Sequence, residues 1–165
     1  MRSMPRLLLI GIAGFVLAAP GSAQRSDDQI LPRSVELQHQ AKTFLAAGKF
    51  EQAEDALETA LAVDPRNRGA FVDLARVAEK QHLFGKAIRM TNKALQLEPN
   101  DPDAIAVQGE AMVELGASAR AQANLQKLQT ICTKGCPQIA QLSAAISRGP
   151  TVASATAPEV PKKKN

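Results

Sequence analysis

The apolar positions of this chain fall at helical spacings, in pairs of stripes, and the pairs recur. Val35, Leu37, Ala41, Phe44 and Leu45 lie three and four apart, which places them on one face of a helix starting at Ser34. Ser34 stands in front as a possible N-cap, and Gly48 breaks the helix, as a residue tolerant of positive φ does. Phe50, Ala53, Ala56, Leu57, Ala60 and Leu61 make a second stripe, closed by Asp64-Pro65. Phe71, Leu74, Ala75 and Ala78, then Phe84, Ala87, Ile88, Thr91, Ala94 and Leu95, repeat the pattern and close at Glu98-Pro99. A third round starts at Pro102 and runs through Ile105, Gly109 and Met112, then Ala121, Leu125 and Leu128.

The register of this repetition is 34 residues. Ala60-Leu61-Ala62-Val63-Asp64-Pro65 returns as Ala94-Leu95-Gln96-Leu97-Glu98-Pro99. Proline has no N–H and disfavours helical geometry in the residue before it, so both phrases read as helix ends. Gly48, His82 and Gly116 share the turn position, and histidine is among the less costly non-glycine residues in left-handed geometry. Ala41, Ala75 and Gly109 share one place in the first helices, and Ala53, Ala87 and Ala121 one in the second. Small residues there let the two backbones of a pair cross closely. No single pair can bury both its faces, so the three pairs must stack.

A small residue in helix A, a glycine-like turn, an alanine in helix B and a closing proline together resemble the tetratricopeptide repeat family. The resemblance covers Ser34 to about Ile131, with repeats near 34–67, 68–101 and 102–131. It implies an all-α fold, a right-handed superhelical array of three antiparallel helix pairs. The third repeat departs from the pattern, with Thr133 where a closing proline belongs. Ile139, Leu142, Ala145 and Ile146 then mark a last amphipathic helix, 137–147, with Pro137 in its first turn, suited to capping the array. The expected domain is 34–148, preceded by a flexible leader, 24–33.

The ends set the expected compartment. Arg2 and Arg6, the apolar run Leu7 to Ala19 and the small residues Gly21-Ser22-Ala23 follow the order of a secretory signal peptide cleaved after Ala23. The apolar run is shorter than the roughly 20 residues a spanning helix needs, although an uncleaved anchor is the alternative. A periplasmic or secreted protein is expected, and the absence of cysteine after the run speaks against a lipoprotein. From Pro150 the Ala/Ser/Thr/Pro/Lys composition predicts a disordered tail, 149–165.

Charge changes the picture less than the pI of about 9.3 suggests. Residues 24–149 hold 15 Lys+Arg and 15 Asp+Glu, so the basic excess sits at the two ends. With no Trp, no Tyr and five Phe, the body lacks the basic, aromatic surface of a nucleic-acid binder.

Catalytic groupings are not visible: no Ser/His/Asp order, no phosphate-cradling glycine loop, no HExxH. No metal or cofactor is expected, since a zinc site needs roughly four ligands and no histidine follows His82. His39 and His82 read as solvated surface or turn residues. Cys132 and Cys136 are the two cysteines, and in an oxidising compartment a disulfide is their natural state, clasping the last repeat to the capping helix. Free thiols and a redox-active pair are the alternatives, the latter normally spaced by two residues.

The resemblance further implies that helix A of each repeat lines a concave groove for a protein or extended peptide. Its ligand-facing places fall on Val35, Gln38, Lys42, Leu45 and Ala46, on Gly69, Val72, Arg76, Glu79 and Lys80, and on Asp103, Ala106, Glu110, Val113 and Glu114. Gln38, Lys42, Val72, Arg76, Glu79, Lys80, Glu110 and Glu114 are the partner-binding candidates. Gln38, Asp73, Asp103 and Val107 stand where the family's two-carboxylate clamp has Lys, Asn and Arg, so that clamp is rejected; contact of Lys42, Arg76 and Lys80 with an acidic or C-terminal peptide segment remains an expectation, with simple solvated charges as its alternative. An exported, non-catalytic scaffold that binds a partner in the cell envelope is the function this implies. A structural or self-associating subunit is the rival reading, and a redox protein centred on the cysteines a third. No stable membrane insertion is expected once the signal is removed.

Overall fold

The computed structural model of the chain describes residues 29–151. The expected signal segment, most of the expected leader and the expected tail from 152 lie outside the described residues. Those described form seven α-helices and no strand: α1 Pro32–Ala46, α2 Phe50–Val63, α3 Arg68–Lys80, α4 Phe84–Leu97, α5 Pro102–Glu114, α6 Ser118–Ile131 and α7 Pro137–Arg148. Each odd helix packs on its successor, each pair packs on the next, and α7 closes the row against both α5 and α6.

The turns inside the pairs have one construction. Gly48 (φ 70°), His82 (φ 59°) and Gly116 (φ 74°) take the left-handed conformation. The amide two residues beyond each helix C-cap reaches back to a carbonyl of the last turn: Lys49 N to Phe44 O, 2.9 Å, Leu83 N to Ala78 O, 2.8 Å, and Ala117 N to Met112 O, 2.8 Å. A second bond joins the left-handed residue to the next carbonyl, as from His82 N to Glu79 O at 3.0 Å. These two bonds satisfy helix-terminal carbonyls that would otherwise lack donors.

The seams between pairs also follow the sequence. Asp64 and Glu98 cap α2 and α4 in extended geometry, with φ of −143° and −139°, as residues before proline should. Asn67 Oδ1 and Asp101 Oδ1 then accept from Ala70 N and Ala104 N, capping α3 and α5. Pro102 and Pro137 occupy the first turns of α5 and α7.

Helix α1 begins differently from the expectation. Pro32, preorganised for a first turn, starts the helix two residues before Ser34, and Leu31 is the N-cap. Ser34 is therefore inside the helix and fully buried, not a cap. Its hydroxyl donates to Ala60 O (2.8 Å) and accepts from Asn67 Nδ2 (2.9 Å), tying α1 to the end of α2 and the start of α3.

The core is a row of linked clusters. Ala41, Ala53, Ala75, Ala87 and Ala121 are at most 1% exposed, as helix crossings require. Leu57, Ile105, Leu128 and Leu142 are the largest fully buried side chains, each contributing about 1.5–3 kcal/mol by leaving water. Gly109 serves a different partner from the one its register position suggests. A Cβ there would lie 2.6 and 2.7 Å from the two δ-methyls of Leu142, so the missing side chain admits the capping helix.

Candidate functional site

The helices α1 and α3 run side by side, and between them lies an open cavity of about 610 Å³. Its walls include Val35, Gln38 and Lys42 from α1, Gly69, Val72, Asp73 and Arg76 from α3, and Leu97, Asp101 and Asp103 from the next seam and α5. A Cβ at Gly69 would come within 2.6 Å of Gln38 Nε2, so a side chain there would shift the Gln38 amide. Two of the few large apolar side chains left exposed, Val35 (38%) and Leu97 (45%), line this cavity.

Asp73 organises the polar wall. It is an acid within the otherwise apolar run Phe71 to Ala75, and only 2% exposed. Its Oδ2 accepts from Gln38 Nε2 at 2.7 Å and lies 3.6 Å from Lys42 Nζ, while Oδ1 accepts from Arg76 at 2.8 Å. A buried carboxylate is tolerable only with partners of this kind. Arg76 also donates to Asp103 at 2.9 Å, and Asp103 accepts from Gln138 of α7 at 3.0 Å. One chain of polar contacts thus crosses α1, α3, α5 and α7. Nearby, Arg68 pairs with Asp101 at 2.6 Å and Arg66 with Asp64 at 3.1 Å.

The predicted binding residues divide into two groups. Gln38, Lys42, Val72 and Arg76 meet at the cavity, although Val72 is only 3% exposed and forms wall rather than contact surface. Glu79 and Lys80 at the end of α3, and Glu110 and Glu114 on α5, do not line it. On α5 the capping helix changes the geometry: Ala106 and Val113, expected to face a ligand, are 1% exposed. Ala106 packs with Leu142 and Val113 with Ile146, so the capping helix covers those positions in repeat three. Glu110 accepts from Gln141 of α7, and Glu114 accepts from Thr151 N at 2.8 Å and Thr151 Oγ1 at 2.9 Å. Chain beyond the expected tail start at Pro150 is thereby held on α5.

Electrostatics set the acids apart. Burial, reinforced by Glu110 and Glu114, raises the Glu79 carboxyl to about 8 against the opposing pull of Arg76 and Lys80. Burial likewise raises Glu110, offset by its bond from Gln141 and by Arg148, Arg76 and Lys80. At the seam the reverse holds: hydrogen bonds from Arg66 and then from Leu31 N lower Asp64 to about 2.

Cys132 and Cys136, at the C-cap of α6 and the N-cap of α7, have their sulfurs at disulfide distance with Cα atoms 5.7 Å apart. Among the described residues no cluster of three metal-ligating side chains occurs, and no helix is long and apolar enough to cross a membrane. Sequence reasoning missed the central part of Asp73 and the exposed Leu97. An acid inside an apolar helical run was the available signal for Asp73; Leu97 offered none, since its helix-end position reads equally well as core.

Three stacked helix pairs closed by a seventh helix define an α-helical repeat array. The tetratricopeptide repeat family model matches residues 44–93. Residues 44–93 are thus tetratricopeptide repeat sequence, and the described array has that family's fold. The chain is 32% identical over 124 residues to cellulose synthase operon protein C of Salmonella typhimurium, and 27% identical over 135 residues to that of Pseudomonas fluorescens. Those matches take in 73% and 81% of this chain but span only 10% of each relative. Among solved structures, the TPR2B domain of yeast Sti1 in complex with pHsp70 superposes with a TM-score of 0.64 at 21% identity. That superposition covers 70% of this chain and 97% of the domain.

Proposed function

We propose that this protein is an exported, non-catalytic scaffold of the cell envelope that binds an extended segment of a partner protein between α1 and α3. The observation that carries the reading is the open cavity, where exposed Val35 and Leu97 flank a polar wall built on Asp73. Apolar pockets beside a few oriented polar groups suit a peptide whose side chains alternate between the two. The wall argues against an acidic or carboxylate-ended ligand, because Lys42, Arg68 and Arg76 already face Asp73, Asp101 and Asp103. The names of its relatives make the machinery of cellulose synthesis the first place to seek the partner.

The test is affinity purification of the mature chain from envelope extract, followed by titration of the recovered partner. Lys42→Ala and Leu97→Ala alter half-exposed side chains and should leave the fold intact. Loss of one interface anchor costs about 1–2 kcal/mol, so each should weaken binding about five- to thirtyfold. Unchanged affinity in both variants would show that the partner does not use this cavity.

A further inference from the structure

We propose that Glu98 selects an arginine in the segment bound between α1 and α3, with an apolar residue beside that arginine resting on Leu97 and Val35. The proposal rests on the reading of that cavity as the binding site and names what its occupant must carry. Two seams made equivalent by the 34-residue register support it. Asp64-Pro65-Arg66 follows α2, and Glu98-Pro99-Asn100 follows α4. In both, the amide two residues on donates to the carboxylate: Arg66 N to Asp64 Oδ1 and Asn100 N to Glu98 Oε1, each at 3.0 Å. The first seam is then completed by two further donors. Arg66 grips both Asp64 oxygens, Nε to Oδ1 at 3.1 Å and Nη2 to Oδ2 at 3.2 Å, and Leu31 N donates to Oδ2 at 2.9 Å.

The second seam lacks both of those donors. In the register, Arg66 becomes Asn100, which carries no charge, and Leu31 becomes Pro65, which has no N–H. Among the described residues Glu98 forms no ion pair, and it stays partly exposed on the wall of the cavity. The cations close by are taken: Lys42, Arg68 and Arg76 face Asp73, Asp101 and Asp103, and Lys127 of α6 donates to Pro99 O at 2.6 Å. Matching acid to base across the cavity therefore leaves Glu98 over. Helix α4 has no basic residue in its last turn, so the negative end of the helix adds to the carboxylate. Leu97 beside it is 45% exposed, whereas its counterpart Val63 packs on the core of the first pair. An arginine supplied by the partner fits Glu98 as Arg66 fits Asp64. Its planar fork matches two carboxylate oxygens, which a lysine ammonium does not, and its methylene stem covers apolar surface such as Leu97.

Selection of a random peptide library, displayed on phage, against the immobilised protein tests it, followed by calorimetric titration of the enriched peptides. Those peptides should carry arginine next to an aliphatic residue. Replacing that arginine by glutamine should weaken binding about three- to tenfold, and lysine should recover only part of the loss. In Glu98→Gln the arginine and glutamine peptides should bind alike, with the circular-dichroism spectrum and Tm unchanged. Asn100→Arg, which rebuilds the first seam's pairing at the second, should weaken the arginine peptide by a similar factor without lowering Tm. Peptides that depend on Lys42 and Leu97 but enrich no arginine, or that prefer arginine equally after Glu98→Gln, overturn this proposal and leave the cavity reading standing. Peptides indifferent to Lys42→Ala and Leu97→Ala, or a library with no binder, overturn both.

Discussion

Asp64 and Glu79 show how the same side-chain type acquires opposite behaviour from its surroundings. Asp64 is held ionised by Arg66 and Leu31 N, so its folded pKa of about 2 lies below the ordinary 3.8. Its contribution to stability is therefore complete above about pH 4 and is lost as pH falls toward 2. Glu79 is the reverse case, with a folded pKa of about 8 above the ordinary 4.5. The folded chain keeps a proton that the unfolded chain has released, so stability falls as pH rises from about 4.5 to 8. Urea midpoints measured against pH should show both limbs. Asp64→Asn should flatten the acid limb and Glu79→Gln the neutral one, each leaving the other in place. The seam acid was legible in the sequence from its place before Pro65. The burial of Glu79 was not, because its register position pointed to an open groove.

Among the elements, α7 departs furthest from the simple reading. Its amphipathic pattern and Pro137 predicted a cap, and it caps, but it also lies over Ala106 and Val113 and so buries those two positions of the third repeat. Gly109 makes that seat possible. Gly109→Ala should cost about 1–3 kcal/mol from overpacking against fully buried Leu142, less the roughly 1 kcal/mol that alanine gains in helix propensity. The expected result is a fall in Tm of several degrees. Gly85→Ala, at an exposed position of α4 where a Cβ meets nothing nearer than Arg89 at 3.7 Å, should raise Tm slightly. Equal effects from the two substitutions would mean that propensity, and not the Leu142 contact, governs residue 109.

At the scale of the molecule, the described residues form a row of linked clusters in which every pair leans on the next. At the C-terminal end the closing proline is replaced by Cys132 and Cys136, which join the caps of α6 and α7. The loop between them is short, so its entropic effect on the unfolded chain is at the low end of the roughly 0–5 kcal/mol range. Cys132→Ser/Cys136→Ser should lower Tm by a few degrees while leaving the helical circular-dichroism spectrum unchanged. Partner binding retained by that variant would also exclude a redox role for the pair.

The sequence by itself determined the repeat, its 34-residue register, the left-handed turn even at His82, and the seams at Pro65 and Pro99. These are properties of local backbone chemistry and helical periodicity, which neighbours in the chain encode. Only the tertiary structure decided which of the groove positions stay open. Asp73 draws its partners from α1 and α3 and, through Arg76, from α5, and Ser34 bonds across to α2 and α3. The contacts between helices join residues about 25 to 35 positions apart in the chain, and their energies depend on burial that no local pattern records.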